Sequence, residues 1–139
     1  MKTTIKVIEF SHDDLVDLLS TALYGSTWFE ADYDSKIYET LKVKNGDCFE
    51  DKLADMLLAG HKITITDWEA DGEKYSNKFV KFEGADEAAV YEVDLKDFIK
   101  TASTKRGYQL VEEVLEGDGD YWTADSFLQR VVFGDEVYG

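Results

Sequence analysis

The chain has 139 residues, 44% of them hydrophobic and 14% aromatic, and its 30 Asp and Glu against 15 Lys and Arg give a formal charge of −15. Length and apolar content fit a single globular domain burying roughly two-thirds of its unfolded surface, and argue against a disordered chain. The charge lies far outside the magnitude of roughly 2–8 usual for a small domain; it repels nucleic acid and anionic membrane, so neither is expected as a direct partner, and it attracts basic proteins or cations.

The first residues, MKTTIKVIEFSHDD, lack the apolar core of about 7–15 residues that a secretory leader needs. No apolar run approaches the roughly 18 residues of a membrane span. A cytoplasmic location is the expectation. Within this N-terminal segment TTIKVIEF, rich in β-branched and aromatic residues, reads as a strand.

In SHDDLVDLLSTALYG, residues 11–25, Leu15, Val16, Leu18, Leu19, Ala22 and Leu23 recur at helical spacing. Ser11 stands at the cap, Asp14 three residues on can return a hydrogen bond to it, and Asp13 and Asp14 complement the positive helix end. Gly25 suits a left-handed stop. The same stretch holds His12, Asp13, Asp14 and Asp17, an apparent metal or acid–base cluster, but helix-start chemistry accounts for them.

Farther on, Asp34 can cap a short helix carrying Ile37, Tyr38 and Leu41, and Asn45-Gly46 reads as a turn. In DCFEDKLADMLLAG, Asp47 and Glu50 have capping-box spacing, Phe49, Leu53, Met56 and Leu57 form the apolar stripe, and Gly60 ends the helix. Cys48, the single cysteine, precludes an intramolecular disulfide and a cysteine-only metal site. At a helix start the dipole favours its thiolate, but the neighbours Asp47, Glu50 and Asp51 oppose it. Of the two histidines, His61 is about 18 Å away by helical rise. A packed Cys48 is therefore favoured over a nucleophile.

Residues 61–95 look like a three-stranded antiparallel meander, turning at Asp71-Gly72 and at 83–86. Tyr91, Val93 and Leu95 alternate with Glu92 and Asp94, which buries one face. Helices follow over about Leu95–Ser103, Tyr108–Leu115 and Ala124–Phe133, the last capped by Thr123 and stopped by Gly134; Gly107 either breaks or bends the first two. Grouped strands and helices predict an α+β domain. Its antiparallel sheet has three to four strands, with the N-terminal strand as the fourth, packed with four to six helices.

Chemistry-bearing motifs are scarce. GDGDYWTAD, residues 117–125, spaces Asp118 and Asp120 as a calcium loop does, but Thr123 stands sixth from Asp118 and Gln129 twelfth, where glycine and glutamate are required. Only a weak cation site remains there. No phosphate loop, dinucleotide fingerprint, zinc-protease helix or nucleophile elbow occurs. No cofactor is expected, and the chain reads as a binding protein rather than an enzyme.

The remaining signal is acid beside aromatics. Asp67, Glu69, Asp71 and Glu73 alternate and would share one strand face; Glu112, Glu113, Glu116, Asp118 and Asp120 follow near the C-terminus beside Tyr121 and Trp122. Glu83, Asp86 and Glu87 crowd a turn, and Trp28, Phe29, Asp32, Tyr33 and Asp34 make a mixed patch. Aromatic anchors in a charged rim suit a basic protein partner. Rows of carboxylates can imitate the charge spacing of duplex DNA, and the composition resembles that of small acidic anti-restriction and anti-CRISPR proteins. A homo-oligomer whose acid serves solubility is the alternative. FSHDDLVDLLSTALYGS, DCFEDKLADMLLAG and the FGDEVYG end resemble segments of small proteins of phages and conjugative elements of gut bacteria. That resemblance implies a host-interaction or defence-related role and carries no activity or functional residue with it.

Overall fold

A computed structural model describes residues 9–26, 28–70, 76–117 and 119–138. These form an α+β domain with one four-stranded antiparallel sheet and six helices, in the order α1 (His12–Gly25), β1 (Phe29–Asp32), α2 (Ser35–Glu39), α3 (Phe49–Leu58), β2 (Ile63–Asp67), β3 (Phe79–Glu83), β4 (Ala88–Val93), α4 (Leu95–Ala102), α5 (Lys105–Leu115) and α6 (Tyr121–Phe133). The sheet order is β1-β2-β4-β3.

Helix starts follow their capping chemistry. At α1 the Asp14 amide donates to the Ser11 hydroxyl at 3.1 Å and the Ser11 amide to the Asp14 carboxylate at 3.0 Å, the reciprocal box expected. Asp34 caps α2. At α3 the box lies one residue later than the Asp47–Glu50 spacing suggests: Cys48 is the cap residue, and its amide donates to Asp51 at 3.2 Å. Its end is as expected, with Gly60 at φ +87° and the His61 amide reaching back to the Met56 carbonyl. The start of α6 also moves. Asp120, not Thr123, caps it, accepting from the Trp122 and Thr123 amides at 3.0 and 3.2 Å, so the helix gains its first turn.

Two glycines act by close approach. Gly25 is the last residue of α1, not a left-handed stop, and a Cβ there would overlap the Tyr121 ring of α6. Gly107 neither breaks nor bends the chain: α4 ends and Thr104 caps α5, while Gly107 sits buried in the first turn of α5. A Cβ at Gly107 would overlap the Thr101 carbonyl oxygen of α4.

The meander is not formed. β4, whose residues Ala88–Tyr91 and Val93 are buried, pairs antiparallel with both β2 and β3 and takes the central place. β3, with Lys81 and Glu83 exposed, lies outside it. The most apolar strand gains most from covering both faces, and charged residues suit a rim. The fourth strand is Phe29–Asp32, paired with β2. The strand expected over TTIKVIEF lies outside the described residues apart from Glu9 and Phe10. Those two are in no strand, although Phe10 is buried in the core.

That core sits between sheet and helices. α6 is its axis, packing against α1, α4, α5 and β4. Phe127, Leu128, Val131, Val132 and Phe133 of α6 are all buried, against Leu15 and Leu19 of α1, Phe98 of α4 and Tyr91 of β4. Two polar residues, Asp125 and Gln129, are buried on the same helix.

Candidate functional site: an acidic aromatic cleft

A chain of buried polar contacts starts from Asp67. Its parity along β2 is that of Ile63 and Ile65, so it points into the protein and is fully buried. One carboxylate oxygen accepts from the Glu69 and Ala70 amides at 3.0 and 3.2 Å, shaping the turn after β2. The other accepts from the Tyr138 hydroxyl at 2.6 Å. Tyr138 is held in turn by Gln129, whose amide group donates to its carbonyl at 3.0 Å and accepts from its N–H at 2.7 Å. Gln129 also bonds Asp125, which accepts the indole N–H of Trp28. The network ties the C-terminal segment across α6 to the end of β2.

This arrangement leaves a cleft of about 400 Å³ between the end of α1, the start of β1, the turn after β2, the first turns of α6 and the C-terminal segment. Its walls are the rings of Trp28, Tyr121, Trp122 and Tyr138, and its acids are Glu69 and Asp125. Trp28 is buried and forms a triangle of rings with Phe133 at 5.4 Å and Tyr138 at 5.3 Å, each tilted by 42° to it. Tyr121 and Trp122 lie 5.2 Å apart at 34° and open to solvent, with Trp122 53% exposed. Beside them Tyr24 is 92% exposed, bordering a shallow hollow shared with Asp120 and Tyr121. The result is a contiguous aromatic surface rimmed by acid.

Burial pushes the Asp125 carboxyl up from its ordinary range, against the lowering effect of its bonds from Trp28 and Gln129. Both donors are neutral, and no lysine or arginine pairs with it among the described residues. Gly25 completes the wall, bringing the negative end of the α1 dipole to the cleft.

The residues expected to bind a partner fall into separate groups. Glu69 and Trp122 meet in the cleft. Asp67 does not, since a fully buried carboxylate holding a turn cannot present charge to a partner. Asp120 borders the aromatic surface but is engaged as a helix cap. Glu112, Glu113 and Glu116 are exposed on the outer side of α5, away from the cleft lining. Asp71, Glu73 and Asp118 lie outside the described residues, and with them half of the suggested Asp118–Asp120 cation pair. The mixed patch around 28–34 dissolves, because Trp28 and Phe29 are buried and Asp34 is a cap.

Sequence reasoning missed Trp28, Asp125 and Tyr138 as parts of one site. A signal was present: Asp125 and Gln129, four apart in TADSFLQRVVF, put two polar groups on a helix otherwise built from core residues. His12 was accounted for by helix-start chemistry, yet its Nε2 lies 3.2 Å from Asp51 and 3.9 Å from the buried Asp55 of α3, so it also bridges two helices. Cys48 is exposed rather than packed. Among the described residues no group of three or more His, Cys, Asp or Glu could hold a metal, and no helix is long and apolar enough to cross a membrane. No protein-family model, curated protein or solved structure matches the chain.

Proposed function

We propose that the protein is a non-enzymatic, cytoplasmic binding protein that seats a basic protein on its acidic aromatic face. The observation carrying this reading is the exposed run of Tyr24, Tyr121 and Trp122 beside Glu69 and Asp120. Exposed aromatic rings supply buried area on association, and the surrounding negative field steers a cationic partner and excludes acidic ones. Surfaces that hold nucleic acid are strongly cationic, because they neutralise phosphates with lysine and arginine. The partner class is therefore a nucleic-acid-handling enzyme of the host, and occupying its groove would inhibit it, as anti-restriction and anti-CRISPR proteins do.

The test is capture from a host lysate on the immobilised protein at low and high salt, with and without competing duplex DNA, followed by titration of the purified captured protein. Binding should weaken with salt and with DNA, and fall about tenfold or more in Trp122→Ala, the cost of removing a central aromatic anchor. A bound set indifferent to salt, DNA and that substitution would sink the proposal.

One observation favours a second reading, a homo-oligomer. Among the described residues β3 is an edge strand, and it exposes Val80 and Phe82 by nearly half, a template for pairing with another copy. Light scattering decides it: a stable oligomer dissociated by Phe82→Lys supports this reading, and a monomer at all concentrations removes it.

A further inference from the structure

We propose that the cleft receives the guanidinium group of a single arginine side chain, stacked on Trp122 and Tyr121 with its charge directed to Asp125 and Glu69. This deepens the reading above and rests on it for the source of the arginine, which is the basic partner.

Three independent features of the cleft select a cation. Four aromatic residues line it, two of them, Tyr121 and Trp122, partly exposed, and aromatic faces attract positive charge through their quadrupoles. Two carboxyl groups lie among them, and Asp125 is one that the fold buries with neutral donors only. A buried carboxylate without a cationic counterpart is costly, and an incoming cation relieves that cost. The third feature is the end of α1, whose last turn contains no basic residue to offset its negative pole. The opposing pole, at the start of α6, is already answered by Asp120.

The shape then selects guanidinium over ammonium. An ammonium is strongly hydrated and loses most on entering a cleft walled by rings. Guanidinium is planar, weakly hydrated, stacks on aromatic faces and keeps in-plane N–H donors for carboxylates. Tyr121 and Trp122, tilted by 34° and partly exposed, offer such faces at the mouth. Asp125 and Glu69 line the same cleft from different elements, α6 and the turn after β2, and a guanidinium carries N–H donors on more than one edge to offer them.

The experiment uses the whole protein with short blocked peptides containing one arginine, and matched peptides containing citrulline, lysine or trimethyl-lysine. Indole N–H resonances are followed by NMR. Trp28 and Trp122 line the cleft whereas Trp68 does not, so the expected result is saturable movement of the first two with Trp68 unmoved. The arginine peptide should bind at least about tenfold more tightly than its neutral citrulline isostere, the equivalent of about 1.4 kcal/mol. Asp125→Asn keeps an acceptor for the Trp28 indole while removing the charge, and Trp122→Ala alters a half-exposed ring; each should cost a similar factor.

Equal binding of arginine and citrulline, preference for lysine or trimethyl-lysine, or arginine shifts indifferent to both substitutions would each overturn the inference. The two proposals fail separately. Arginine peptides that leave the indoles unmoved, alongside intact salt-sensitive partner capture, defeat the cleft assignment alone. Peptide binding without any captured partner defeats the partner reading and leaves the cleft standing.

Discussion

Replacing Tyr138 with phenylalanine isolates one hydrogen bond at the base of the cleft. The ring keeps its contacts with Trp28 and Phe133, at 5.3 and 5.8 Å, and its backbone keeps both bonds to Gln129. What disappears is the 2.6 Å bond from the hydroxyl to Asp67. Asp67 is fully buried, so water does not replace the lost donor. A hydrogen bond to a charged group contributes about 1.5–3 kcal/mol, which places the expected loss near 2 kcal/mol. With a urea m-value of about 2 kcal/mol/M, the midpoint should fall by about 1 M with m unchanged. Tyr24→Phe is the control: at 92% exposure its hydroxyl faces water, and the change should stay within about 0.5 kcal/mol. If Tyr138→Phe moved the midpoint no more than Tyr24→Phe does, the Asp67–Tyr138 bond would not be what fastens the C-terminal segment, and the account of the cleft's floor would fall with it.

Gly107→Ala should destabilise by about 3 kcal/mol, because the new methyl meets the Thr101 carbonyl in a fixed turn; a drop in Tm of about 10 °C by calorimetry is expected for a domain of this size. Glu136 sets an acid limb. Burial alone would raise its pKa, but hydrogen bonds from Arg130 and Ser126 and the charges of Arg130 and Arg106 outweigh that and hold it below the usual range. Its folded pKa is depressed, so its contribution is present above the unfolded value and lost as pH falls through the folded one. Glu136→Gln should therefore cost up to about 1 kcal/mol near neutrality and nothing once the pH is below both values, a difference read from urea midpoints across an acid pH series.

The local rules of helix ends were legible in the sequence wherever cap and first turn left one solution, as at Ser11–Asp14 and Asp34. They slipped by a residue or more where two candidate cap residues compete. Asp47 stands before Cys48, and Asp120 before Thr123, and a cap is chosen by the backbone angle at which the chain enters the helix. The strand order was illegible for a different reason. Turn signals and alternation say that neighbouring segments are strands, but which strand takes the centre depends on what both faces of the finished sheet can bury. Gly25 looked like chain punctuation because α6, which presses on it, comes from far along the sequence, and Gly107 because the approach of Thr101 depends on how α4 turns into α5.

Asp67 carries the larger lesson for function. Alternation aligned it with Glu69, Asp71 and Glu73 as a row of surface charge, yet the same alternation aligns it with Ile63 and Ile65, and burial won. Much of the acid behaves similarly. Asp14, Asp34, Asp51, Asp94, Asp97 and Asp120 serve helix starts, and Asp55, Asp67 and Asp125 are buried. Net charge therefore overstates the surface available for imitating a polyanion. A partner meets a smaller set of carboxylates, and specificity must come from where these stand relative to exposed rings. That shifts the functional weight from the density of acid along the chain to one place where aromatic faces, a buried carboxyl and the negative end of a helix converge.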